Sequence, residues 1–177
     1  MNAYNKFDFN FASLSLRDAL DMALLIEEEA QQRYEEFAGQ METHRSPEAG
    51  RFFRAMSKNE AKHGKDLKMR REKLFPEEPH QVNSSLLWDV EAPEYDKARA
   101  FMSVRQCMEL ALQCEIKAHD FFSAALEHIE NPEVKQLFSE LRDEEAEHQE
   151  LVQKELDALP QTSEIDPENF VDDPVAQ

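Results

Sequence analysis

The sequence predicts an all-α four-helix bundle, wired as two antiparallel helical hairpins joined by one long crossover. Three observations predict it. Apolar residues recur at steps of three and four over four long stretches. Two of the three connections are short, so the helices they join should be antiparallel neighbours. The third connection, 75–96, holds Pro76, Pro79, Trp88 and Pro93 and no sustained period.

The first helix has Ser15 as its N-cap, with Asp18 three residues on. Its stripe runs Leu16, Leu20, Ala23, Glu27, Ala30, Tyr34, Phe37 or Ala38, and Met41. Ser46 and Pro47 start the second, whose stripe is Ala49, Phe53, Met56, Glu60, His63, Leu67 and Leu74. The third is predicted to begin near Lys97 and carries Phe101, Val104, Met108, Ala111, Glu115, Ala118, Phe122, Ala125 and Ile129. Asn131 and Pro132 open the fourth, with Val134, Phe138, Leu141, Glu145, His148, Val152 and Leu156. The bundle domain is thus expected over 1–159. The acidic, proline-punctuated stretch 160–177 is expected to be a flexible tail.

The chain is 41% apolar and 33% charged, with three glycines, a mix that suits a helical protein in water. A net charge of −18 argues against nucleic acid and anionic membrane surfaces as partners. No run of about 18 apolar residues offers a membrane span. The N-terminal stretch shows no basic segment followed by an apolar one, so no secretory signal is read. Cys107 and Cys114 share one predicted helix and stand roughly 10 Å apart along its axis, too far to bridge. Both read as small core residues in a reducing cytoplasm.

The stretch "DEEAEHQELV", 143–152, exposes an anomaly. Its apolar stripe passes through a carboxylate and an imidazole, Glu145 and His148. Every other stripe is broken in the same way at its middle, by Glu27, by Glu60 with His63, and by Glu115. A lone glutamate in a stripe is ordinarily a boundary residue, and a single ExxH is a weak signal. Here four helices each contribute, and the two ExxH pairs fall on matching arms of the two hairpins. Four buried carboxylates without counter-charge would cost many kcal/mol, and two divalent cations would cancel them. The i, i+3 spacing sets Glu and His about 60° apart on one helix face, so both can reach one centre. Oxygen and imidazole donors suit iron or manganese. The expected metal ligands are Glu27, Glu60, His63, Glu115, Glu145 and His148. The halves also repeat: Glu27, Ala30 and Tyr34 align with Glu115, Ala118 and Phe122, and Phe53, Glu60 and His63 with Phe138, Glu145 and His148.

One Glu from each of two helices plus Glu-x-x-His from each of the other two is the di-iron or di-manganese pattern of ferritin-like bundles. The chain resembles that superfamily over about 15–158, most closely the erythrin part of rubrerythrin and bacterioferritin. "EEEAQQRYEEFA" resembles the first-helix segment of rubrerythrins and places the ligand on Glu27 rather than Glu28 or Glu29, as the stripe does. "NEAKHGKDL" and "EEAEHQELV" supply the two ExxH motifs, and "CEIKAHDFF" the third-helix Glu. Rubrerythrins usually carry a further glutamate where this chain has Ala118. No CxxC pairs provide a built-in electron-transfer iron, and Ala61 stands where bacterioferritin ligates haem, so no haem is expected. By the same resemblance, Asn59 and Glu144 are second-sphere candidates for His148 and His63.

Other residues read more simply. Tyr34 is either a hydrogen-bond donor to a ligand carboxylate or electron source, or a core aromatic. Gly64 marks either close packing or a local bulge, or is a tolerated mid-helix glycine. His44, His80, His119 and His128 are expected on the surface, and Trp88 as an anchor. The resemblance implies a di-iron oxidoreductase that uses hydrogen peroxide or dioxygen. It would take an external electron donor if it is a peroxidase, and it would form a homodimer or larger assembly. The alternative is an iron-storage or iron-handling protein that acts in a cage or partner shell.

Overall fold

The computed structural model describes residues 10–44, 46–79, 90–93 and 102–159. A short 3-10 turn, Phe11–Ser13, leads into α1 (Leu16–Thr43). It is followed by α2 (Pro47–Leu74), α3 (Val104–Leu126) and α4 (Pro132–Ala158). The chain is all-helical over these residues. α1 packs chiefly on α2 and α3 on α4, the two hairpins of a four-helix bundle. The expected tail, 160–177, and most of the crossover, with His80, Trp88 and Phe101, lie outside the described residues.

The helix starts follow the local chemistry. The Ser15 hydroxyl accepts from the Asp18 N–H at 3.1 Å. The Asn131 side chain accepts from the N–H groups of Glu133 and Val134, and Pro132 occupies the first turn. Ser46 begins α2 through Pro47 without a side-chain cap bond. α3 starts at Val104, not near Lys97. Ser103 is extended and closes a capping box, its hydroxyl accepting from the Gln106 N–H while the Gln106 carbonyl accepts from the Ser103 N–H. That reciprocal pair satisfies two otherwise orphaned donors, and it sets the start where apolar periodicity could not. At the other end Ile129 falls beyond α3, in the turn, yet is 3% exposed and joins the core. Leu74, predicted inside, is exposed at the end of α2.

The core is split into three clusters. One cluster holds Leu20, Ala23, Leu67, Phe122, Phe138 and Leu141, with Phe11 edge-on to Phe121 and Phe138. The second holds Tyr34, Phe37, Met41, Phe53, Met56 and Cys107, and a smaller third cluster joins Met108 to Val152 and Leu156. On each helix the residues between these clusters are the stripe-breaking acids. The bundle is therefore layered: apolar, carboxylate, apolar. α1 and α2 approach closely along one flank. A Cβ at Gly64 would meet the Glu27 Cβ at 3.6 Å, an ordinary contact, and α2 is unbroken α-helix through that point. Gly64 thus lies at a close approach and not at a bulge.

A buried ion pair that periodicity does not reveal ties α2 back to α1. Arg71 and Asp21 are 4% and 1% exposed and meet at 2.8 Å. The same guanidinium donates to the carbonyls of Phe75 and Glu78, so it also ends α2 and holds the start of the crossover. Arg105 performs the matching task at the end of α4, donating to the carbonyls of Leu156 and Leu159. Breaking a buried pair strands one charge, at a cost of about 3–5 kcal/mol. Arg71→Met should lower unfolding free energy by about that much in urea titrations, and Asp21→Leu added to it should restore part of the loss.

Candidate metal centre

The carboxylate layer is built from one turn of each helix. Glu27, Glu60, Glu115 and Glu145 are 3%, 1%, 0% and 3% exposed. Glu28, one residue on from Glu27, is exposed, and Glu29 pairs with Arg33 at 3.3 Å. Helix phase therefore selects Glu27. The side chains of His63 and His148 are 18% and 16% exposed, at the wetter edge of the layer. Their rings stack, with centroids 4.8 Å apart and planes 8° from parallel.

Two half-sites result. Glu27, Glu60 and His63 offer ligand atoms that all lie within 4.8 Å of one another, and so do Glu115, Glu145 and His148. Each pairs the hairpin's lone Glu with its ExxH, so the sequence repeat becomes a repeat in space. His148 Nδ1 lies 3.2 Å from the Glu115 carboxylate. Gln149 donates to the Glu115 backbone carbonyl at 3.2 Å, pinning α4 to α3 at the site.

A fifth carboxylate sits in the same layer. Glu91, from the crossover, is 1% exposed and groups both with Glu27 and Glu145 and with Glu60 and Glu115. Sequence reasoning missed it. The crossover has no helical period, and "DVEAPEY" carries no ligand spacing. Its one signal was a charge between two apolar residues, Val90 and Ala92, both of which are buried.

The expected neighbours are more scattered. Asn59 and Glu144 are exposed residues, although Glu144 shares with His63 a cleft of about 140 Å³ between α2 and α4. Tyr34 is 0% exposed and stacks on Phe53. Its hydroxyl has no hydrogen-bond partner, so it does not donate to a ligand carboxylate in this arrangement. Burial raises the phenol well above its ordinary range, with Cys114, Glu115, Glu60 and Glu91 adding to the rise. Burial likewise lifts both cysteine thiols to about 12, as befits inert core residues. His44 and His128 are exposed, and His119 lies partly exposed beside Asp120.

The donor set fits a pair of cations. Seven carboxylate oxygens of Glu27, Glu60, Glu91, Glu115 and Glu145 are buried without a hydrogen-bond partner. Unpartnered anionic oxygens in a dry interior are destabilising unless a proton or a metal meets them. Protons are indeed retained. Burial pushes Glu27 up to about 7, against the opposing pull of His63. Burial and then the Glu115 charge raise Glu145. The carboxylates of Glu27 and Glu60, 3.7 and 3.5 Å from its ring nitrogen, lift His63 to about 10. Burial opposes the charge on His148, but Glu115 outweighs it and raises that imidazole.

Such a layer, with two carboxylate–histidine groups that could each hold a metal ion, belongs to a ferritin-like bundle. A family model described as Rubrerythrin matches residues 18–156, with a second match over 106–173. The chain belongs to the rubrerythrin family, within the ferritin-like di-iron superfamily. It is also similar to the crystal structure of an uncharacterised conserved protein from Magnetospirillum magnetotacticum MS-1. The identity is 29%, the TM-score 0.65, and the match covers 85% of this chain and 99% of that one. No curated protein matches the chain. Among the described residues, no helix is long and apolar enough to cross a membrane.

The retained protons give the metal-free protein a signed pH dependence. Glu27, ordinarily near 4.5, stays protonated in the fold to about 7, so its contribution to stability falls as pH rises between those values. His63, raised from 6.5 to about 10, contributes fully below 6.5 and loses that contribution toward 10. Both slopes run the same way. Metal-free protein should melt at least about 3 °C lower at pH 9 than at pH 6, the equivalent of about 1 kcal/mol at this length. Glu27→Gln should flatten the profile measured by circular dichroism.

Proposed function

We propose that this protein is a non-haem di-iron oxidoreductase that oxidises Fe(II) with hydrogen peroxide or dioxygen, as a rubrerythrin-like peroxidase or a ferroxidase. The observation that carries the reading is the pair of Glu–Glu–His half-sites facing each other across one buried layer. Glu27, Glu60 and His63 would hold one ion, and Glu115, Glu145 and His148 the other. When bound, the metals supply reversible one-electron chemistry and Lewis acidity; manganese is the alternative occupant.

The chain's own residues supply placement, exclusion of water and access. The apolar clusters on both sides keep water from the carboxylates, which strengthens their hold on cations. The α2–α4 cleft, lined by His63, Asp66, Glu140 and Glu144, offers a small oxidant or incoming Fe(II) an acidic path to the histidine edge. Arg70 bridges to Glu140 at 2.6 Å beside it. Tyr34, buried close to the layer, is assigned the part of an electron relay. An external donor would return electrons in the peroxidase mode, and the protein would work as a homodimer or larger assembly in the cytoplasm.

The acidic cleft also favours a second reading, in which oxidised iron moves on and the protein stores or handles iron in a cage or partner shell. Sizing separates the two, since a cage elutes far above twice the 20.6 kDa chain mass. The principal test is stopped-flow oxidation of the Fe(II)-loaded protein. Fast oxidation of two irons per chain by peroxide, slow in air, is the peroxidase outcome. Turnover in air continuing past two irons per chain is the ferroxidase outcome. Glu27→Ala and Glu115→Ala should each lose at least one bound ion and slow oxidation by about tenfold or more. Tyr34→Phe should keep both ions but remove any transient tyrosyl signal. Unchanged metal content and rate in both glutamate variants would sink the proposal.

A further inference from the structure

We propose that Glu91, carried by the crossover, is a seventh protein ligand, placed at the seam of the two half-sites so that both metal positions share it. The inference rests on the two-metal reading of the layer and adds to it a ligand from outside the four helices.

Three observations converge. Glu91 is as buried as the helical glutamates, and neither of its carboxylate oxygens has a hydrogen-bond partner. Its ligand atoms lie within 4.8 Å of a pair drawn from both half-sites, and this holds twice, with Glu27 and Glu145 and with Glu60 and Glu115. Glu91 thus lies within reach of all four helical glutamates, two from each half-site. Finally, its backbone is held from both hairpins. Lys117 of α3 donates to the Ala92 carbonyl at 3.0 Å, and Arg33 of α1, 1% exposed, donates to the Pro93 carbonyl.

That third observation matters most. Lys117 and Arg33 bond the main chain one and two residues past the buried glutamate, and Arg33 also pairs with Glu29. They place the carboxylate in the layer without meeting its oxygens. Between them Val90 and Ala92 are buried, so the segment is anchored on both sides of the acid. An arrangement that positions a carboxylate and leaves its lone pairs unmet is the arrangement of a ligand.

The charge balance then changes. Four carboxylates neutralise two divalent ions, and a fifth leaves one negative charge in excess. With two trivalent ions the fifth removes half of the residual positive charge. Glu91 therefore favours the oxidised pair, and bound metal adds a further tie between residues 90–93 and the bundle.

The test uses the full chain titrated with Co(II), comparing wild type with the near-isosteric Glu91→Gln. Wild type should take up two Co(II) per chain, and Glu91→Gln should bind them about tenfold or more weakly, with an altered visible spectrum as coordination changes. Amide hydrogen exchange at 90–92 in wild type should slow when Co(II) binds; this second readout holds even if the variant fails to fold. Equal affinity and superimposable spectra, or exchange at 90–92 indifferent to Co(II), would overturn the assignment of Glu91 while leaving the two-metal centre standing. Uptake of fewer than two ions by wild type would overturn the two-metal reading itself.

Discussion

Five carboxylates share one buried layer in the middle of this bundle, and the rest of the structure is arranged around the cost of keeping them there. An ionised carboxylate taken out of water without a partner costs several kcal/mol, and neighbouring carboxylates raise that cost for one another. In the metal-free chain burial raises Glu27 and Glu145 toward their protonated forms, and the facing carboxylates raise the imidazoles of His63 and His148. Cations meet that cost more completely, because each can be approached by several oxygens at once. The apolar clusters above and below the layer carry the folding energy that tolerates the polar seam between them.

The same constraint explains the placement of the basic residues. In a chain this acidic, a buried arginine is an expensive element, and two occur among the described residues. Arg71 neutralises Asp21 and gathers the carbonyls that end α2. Arg33 reaches Glu29 and the carbonyl of Pro93. Arg71 holds the start of the crossover at Glu78 and Arg33 holds it at Pro93. An arginine inside the layer would instead neutralise the carboxylates gathered there.

The two hairpins supply half-sites of the same composition, and the asymmetry comes from what lies between them. Tyr34 has Phe122 as its counterpart, so a phenol is buried in one apolar cluster and a plain ring in another. The crossover contributes Glu91 once. A pseudo-symmetric scaffold thus holds an asymmetric layer built on one repeated motif.

Much of this was legible in the residues. The helical period, the caps at Ser15 and Asn131 and the interrupted stripes are local properties, set by 3.6 residues per turn and by which side chains can satisfy a free N–H. They determine four helices, their inward faces, and the convergence of Glu27, Glu60, His63, Glu115, Glu145 and His148. The start of α3 at Val104 is local too, set by the capping box of Ser103 and Gln106, although apolar spacing does not show it. Tertiary structure alone decided the rest. Asp21 and Arg71 are fifty positions apart, and nothing local says they meet. Glu91 sits in a segment without regular structure, where side-chain direction follows no period. Its place in the layer is set by distant donors on α1 and α3, and such contacts exist only once the hairpins have packed.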